Sequence, residues 1–309
     1  MQPNFGALQL VHASERRFAV TARARVACCA ASLASLVVLC APAIDTSAAA
    51  ATRSRAHAAD RTCLVPGVGK PLDQIWRPNI LSAIGYQRRR LGDIAFAVRT
   101  AGAFYGYRAD HQEWSASVLK AMLMVAYLDR PSVSGRALNA YDKSLLYPMI
   151  TRSDNNAADA VDEIVGDSEL QALAVRVGMT HFVAAEPIWG ESEITARDQT
   201  MFFLHIDSYI APRHRAYAMH LLASIVPSQR WGVGEVVPKG WKLYFKGGWG
   251  YGTGLIDNQV ALLTRGCARL SIAVLTMYDG SHAYGKQTLK VIFQKLLRGL
   301  PTGPHTRYP

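Results

Sequence analysis

The chain has 309 residues, half of them apolar and 18% charged, with 34 Lys+Arg against 23 Asp+Glu for a net of +11. That apolar content excludes a disordered chain and supplies a sizeable core. With 24 Gly and 14 Pro, collagen-like and linker-dominated chains are excluded too, and the length allows one large domain or two small ones.

In chain order, the first element is a targeting segment. Arg16, Arg17, Arg23 and Arg25 precede an uncharged apolar run from Val26 to Ala41, and Pro42 and Ala/Ser-rich sequence follow it to Ala59. Basic, then apolar, then small residues is the order of an export signal. Residues 1–59 are therefore expected to send the chain out of the cytoplasm: secreted, periplasmic or wall-associated. The alternative is an uncleaved N-terminal membrane anchor, although the run is shorter than the ~20 residues of a spanning helix. Without residues 1–59 the chain keeps 28 Lys+Arg and 21 Asp+Glu, a net of +7, and its cysteines reduce to Cys63 and Cys267. In an oxidising compartment a Cys63–Cys267 disulfide is expected, with two unpaired buried cysteines as the alternative. The chain has no Cys-x-x-Cys pair and no histidine cluster of zinc spacing, so no metal or other cofactor is expected.

Residues 71–90 read as a first helix, with Ile75, Trp76, Ile80, Leu81 and Ile84 on one face. Residues 93–100 alternate like a strand, and Phe104–Arg108 returns as the second arm of a hairpin. Ser115–Leu128 is a strongly apolar helix stopped by Asp129-Arg130-Pro131. Further helices are expected over Leu138–Met149, Asn156–Val165 and Ser168–Val177, the last capped by Gly178. An irregular loop covers 179–194. Thr195 and Asp198 resemble a capping box that opens a helix to about Ile210, and another helix follows over Pro212–Ile225. Strands are expected at Lys242–Lys246, Leu255–Leu263 and Leu270–Tyr278, then a final helix over Tyr284–Leu297. A lone hairpin at 93–108 is not stable by itself, so both ends of the chain must join one sheet. The expected fold is α+β: a five-stranded antiparallel sheet flanked by terminal helices, built from about 60–114 and 226–309, with an inserted all-helical part over about 115–225.

Three short motifs occur in one order: Ser117-Val-Leu-Lys120, Ser153-Asp154-Asn155 and Lys246-Gly247-Gly248. The first opens an apolar helix, the second lies between helices, and the third ends a strand. Free N–H groups in a first helical turn favour negative charge at Ser117. Lys120, three residues on, shares its face, and a lysine in an apolar pocket near other cations can act as a base. Ser153 can relay a proton, Asn155 can bind a substrate amide, and Lys246 can hold a carboxylate. The backbone N–H groups of Ser117 and Trp249 can form an oxyanion hole.

This triplet resembles that of β-lactamases and penicillin-binding proteins, with Lys246-Gly247-Gly248 standing where a Lys-Thr-Gly is expected. Residues 91–300 resemble the penicillin-recognising serine hydrolases, and most of all class A β-lactamases, in Tyr105–Asp110, Met149–Ala158, Val177–Thr180 and Thr195–Asp198. The resemblance implies a β-lactamase/transpeptidase-like fold and an acyl-enzyme on Ser117. It also implies a structural role for Asp154 and a glutamate in the covering loop that activates the deacylating water. Three departures stand out. Only 36 positions separate Ser117 from Ser153. Gly247 replaces a hydroxyl residue, for which Thr253 is a partial substitute. Glu186-Pro187 is followed by Ile188-Trp189-Gly190 rather than the family pattern, so Glu186 is either the deacylating base or a surface acid.

The expected function is hydrolysis of β-lactam amides by an exported serine enzyme, acting as a monomer. The alternatives are a D,D-peptidase acting on peptidoglycan peptides and a non-catalytic wall- or partner-binding module of the same fold. No nucleic-acid partner is expected, because the basic residues are dispersed rather than gathered with aromatics.

Overall fold

The computed structural model describes residues 63–250 and 255–303. The expected export segment therefore lies outside the described residues, which all fall in one compact unit. Among the described residues no helix is long and apolar enough to cross a membrane.

The expected first helix is two: α1 (Leu72–Ile75) and α2 (Ile80–Gln87). Pro78 divides them, since it has no N–H to donate and forces Arg77 away from helical backbone. Asn79 caps α2 by accepting from the Ser82 N–H at 3.0 Å. The hairpin follows as β1 (Asp93–Thr100) and β2 (Phe104–Tyr107). Next come a short strand β3 (Glu113–Trp114), a 3₁₀ turn (Ala116–Leu119) and α3 (Lys120–Asp129). All of α3 from Lys120 to Leu128 is buried, as its all-round apolar sequence requires.

Helix α4 (Pro131–Ser134) and α5 (Ala140–Thr151) lead to α6 (Asn155–Val177). The two helices expected over this last span are present and meet at a kink at Gly166, whose φ of 71° and ψ of 160° leave the helical region. Gly178 ends it at φ 89°, backbone that favours glycine. After the loop come β4 (Glu193–Ile194), α7 (Ala196–Leu204) and α8 (Pro212–Ala223). Thr195 accepts from the Asp198 N–H at 3.1 Å. Helix α7 stops at Leu204, short of the expected Ile210, and a 3₁₀ turn replaces its end.

The chain closes with β5 (Lys242–Gly250), β6 (Ile256–Arg265), β7 (Ala268–Met277) and α9 (His282–Leu296). Five strands form one antiparallel sheet in the order β2-β1-β7-β6-β5. The central strands β6 and β7 are buried along almost their whole length, because helices cover both faces. Helix α7 packs on β1, β6 and β7, and α9 packs on β6, β7 and α2. A second, two-stranded ladder, absent from the sequence reading, pairs Glu113 with Ile194 and Trp114 with Glu193. Cys63 and Cys267 form a disulfide across 204 positions, with Cα atoms 5.8 Å apart. It ties the start of the described chain to the β6–β7 turn.

Candidate active site

The candidate site lies where the free edge strand β5 meets the 3₁₀ turn and the start of α3. Two residues there hold left-handed backbone without being glycine: Ala116 at φ 43° and Ser153 at φ 57°. Such backbone is costly and persists only where its surroundings enforce it. Ala116 precedes the half-buried Ser117 in the 3₁₀ turn. Asn258 braces this segment: its side-chain amide donates to the Trp114 carbonyl at 2.8 Å and its oxygen accepts from the Thr276 N–H at 2.8 Å. Gly248 lies against Ser117. A β-carbon there would stand 2.7 Å from Ser117 N and 2.9 Å from Ser115 O, so no other residue fits without displacing the turn.

Lys120 is fully buried at 0% exposure, and Lys246 at 1%. Lys120 Nζ donates to the Ser153 carbonyl and to Asn155 Oδ1, each at 2.6 Å, and lies 3.4 Å from Ser153 Oγ. Lys246 Nζ donates to Ser153 Oγ at 2.9 Å and to the Gly247 carbonyl at 2.7 Å. Two buried amines thus converge on one hydroxyl. Burial lowers Lys120 to about 7, against the upward pull of Asp154 and Asp159. Burial and then the charge of Lys120 hold Lys246 well below its ordinary value. Asp154 caps α6, accepting from the Ala157 N–H at 2.9 Å, and so fixes the turn that carries Ser153.

Five sequence-predicted residues, Lys120, Ser153, Asn155, Lys246 and Gly248, meet beside Ser117. Trp249 follows Gly248 on β5, in register with Asp257 of β6. Thr253 lies outside the described residues. Glu186 is exposed, and among the described residues it makes no hydrogen bond or ion pair; its charge is felt at Asp162.

Two features escaped the sequence reading. The first is Trp189, whose ring centroid lies 4.9 Å from Lys120 Nζ and whose indole N–H donates to Asp159 Oδ1 at 2.7 Å. Its only signal was the mismatch after Glu186-Pro187. The second is a buried cluster behind Trp249. His282 stacks on Trp249 at 5.9 Å and meets Trp231 edge-on at 5.3 Å. Its Nδ1 lies 2.6 Å from Asp257 Oδ1. Burial and then Asp279 raise Asp257 to about 8, and burial raises Asp279 to about 6. No local spacing links residues 25 positions apart, so no motif could have found this pair.

A sequence profile of the β-lactamase enzyme family matches residues 136–297, more than half of the chain. The chain belongs to this family. The matched span holds Ser153, Asn155, Glu186 and Lys246 and begins after Ser117 and Lys120. Among solved structures, the β-lactamase from Sphaerobacter thermophilus aligns with a TM-score of 0.63 at 19% identity, over 72% of this chain and 97% of that one. An ancestral (GNCA) class A β-lactamase aligns at 0.61 and 19%, over 71% and 98%. The structure of PBP-A aligns at 0.59 and 16%, over 70% and 93%. At these identities the likeness is one of fold. No curated protein sequence matches. In this family's fold, the helical part and the sheet edge bring the three motifs of the chain to one junction.

Proposed function

We propose that this β-lactamase-family protein is an exported serine hydrolase that opens β-lactam amides through an acyl-enzyme on Ser117. The observation that carries the reading is the convergence of Lys120 Nζ and Lys246 Nζ on Ser153 Oγ, at 3.4 and 2.9 Å, beside the turn of Ser117. Neutral Lys120 takes the Ser117 hydroxyl proton as Oγ bonds to the carbonyl carbon. The N–H groups of Ser117 and Trp249 receive the oxyanion. The C–N bond then breaks, and the leaving nitrogen takes the Ser153 hydroxyl proton, which the proton held on Lys120 replaces. Asn155 gives its carbonyl oxygen to Lys120, which leaves its amide N–H groups for the substrate amide. Lys246 attracts the substrate carboxylate. Water then releases the ring-opened acid, with Glu186 as the candidate base. Export rests on the basic-apolar-small order of residues 1–59, and the remaining net charge of +7 suits an anionic wall.

One observation favours a second reading, a D,D-peptidase acting on the D-Ala-D-Ala end of wall peptides. The side chain over Lys120 is the indole of Trp189, while Glu186 faces solvent. Stopped-flow and steady-state assays of the purified protein with a chromogenic β-lactam separate the two. Under the β-lactamase reading, turnover is sustained and falls about a hundredfold in Glu186→Gln. A persistent adduct indifferent to that substitution assigns the peptidase reading, and neither adduct nor hydrolysis overturns both.

A further inference from the structure

Lys120 is held from four directions. Ser153 and Asn155 take its protons from the turn before α6. Lys246 approaches the same hydroxyl from β5. The face of Trp189 closes the fourth side from the loop. The charged groups around it are Asp154 at the start of α6, Asp159 one turn further along α6, and Lys246. Glu186 on the loop points to solvent.

Asp159 is exposed, and it lies four residues after Asn155, on the same face of α6 and toward Lys120. An ion pair between Asp159 and Lys120 would hold the proton on the lysine and remove the base. The pair does not form. The indole N–H of Trp189 takes Asp159 Oδ1 at 2.7 Å, and the ring stands against the lysine. The backbone of the loop is anchored beside the ring. Ser115 donates from its N–H to the Ser192 carbonyl at 2.8 Å and from Oγ to the Gly190 carbonyl at 3.3 Å. The Ser192 N–H donates to the Trp189 carbonyl at 3.1 Å. Trp189 is thus fixed to the residue two before Ser117.

We infer that Trp189 is a positioning residue for Lys120: its indole separates the lysine from Asp159 and keeps water off the ammonium. The inference rests on the reading of Lys120 as the base for Ser117, and it explains how a lysine close to an exposed carboxylate stays available for that task.

The test is a pH titration of 13Cε-lysine NMR signals in the purified full chain, without substrate, with Lys120 assigned by the loss of its signal in Lys120→Met. In wild type, Lys120 is expected to titrate near neutral pH. In Trp189→Ala it should titrate about one pH unit higher, and Asp159→Asn in that background should recover most of the rise. Trp189→Phe keeps a ring over the lysine but frees Asp159, so it should give a smaller rise that Asp159→Asn cancels. A Lys120 titration unmoved in folded Trp189→Ala or Trp189→Phe overturns the inference. A rise that Asp159→Asn does not reduce overturns the separating role of the indole. These outcomes are read without turnover. Wild type that titrates as expected yet forms no adduct with a β-lactam contradicts the proposed function and leaves the role of Trp189 standing.

Discussion

Two adjacent glycines answer different needs. At Gly247 a β-carbon would make only ordinary contact, 3.6 Å from Gln259 Cγ, whereas at Gly248 it would stand 2.7 Å from Ser117 N. Gly247→Thr should therefore fold and supply a hydroxyl donor to the substrate carboxylate. A hydrogen bond to a charged partner is worth about 1.5–3 kcal/mol, so acylation efficiency should rise roughly tenfold or more. Gly248→Ala should displace the Ser117 turn and cost about a hundredfold in acylation. Stopped-flow acylation of both variants checks the contrast. At this scale the sequence was legible wherever chemistry follows spacing. Ser117 and Lys120 stand three residues apart where the expected helix begins as a 3₁₀ turn, and Ser153 and Asn155 stand two apart at the start of α6. Trp189, Asp159 and the Asp257–His282 pair were not legible, because each meets its partner across a loop or a sheet and nothing local marks the meeting.

Among the elements, most boundaries follow local rules, and the exceptions have physical causes. Pro78 splits the first helix, and Gly166 breaks α6 without ending it. The β3–β4 ladder has two residues on each side, too short for any period-two pattern to announce. It nonetheless joins the segment before Ser117 to the end of the loop carrying Trp189. The disulfide acts at the same scale, holding the segment before α1 against the β6–β7 hairpin and closing 204 positions of chain. Replacing Cys63 and Cys267 with serine should cost about 2–5 kcal/mol. Denaturant unfolding of the oxidised wild type against the double variant measures it. A loss below about 1 kcal/mol would mean that the hairpin holds that segment without the bond.

Across the molecule, buried carboxylates set how stability depends on pH. Glu113 is 2% exposed, with Oε1 accepting no hydrogen bond among the described residues and lying 3.9 Å from His111 Nε2, and burial followed by the charge of Asp93 raises it to about 8. Asp257 is raised to about 8 and Asp279 to about 6. These groups hold protons in the folded state that the unfolded chain releases near its ordinary carboxylate range. Their contribution to stability should therefore fall as pH rises from about 4 to about 8, while Lys120 and Lys246, held below their ordinary values by burial, act in the opposite sense above their folded values. Asp142 has the opposite sign: the hydrogen bond from Arg136 holds it well below its ordinary value, so its contribution is complete above about pH 4 and is lost only at lower pH. Asp257→Asn and Glu113→Gln should each make the slope of melting temperature against pH more positive between pH 5 and pH 8 than in wild type. A slope unchanged in both folded variants contradicts the assignment.

The antiparallel sheet uniting both ends of the chain could be read from the hairpin that cannot stand alone. The packing of β5 against the Ser117 turn was expected only through the shared oxyanion hole of Ser117 and Trp249, since no local pattern says where the helical part docks. Under the proposed function, that docking is what lets Ser117 act as a nucleophile rather than a helix-start serine. The most direct measurement is intact-protein and peptide mass spectrometry after brief mixing with a β-lactam. The expected result is a gain of one intact β-lactam mass on the peptide holding Ser117, lost in Ser117→Ala and strongly slowed in Lys120→Met. An adduct on another residue, or neither adduct nor hydrolysis in a folded protein, would contradict it.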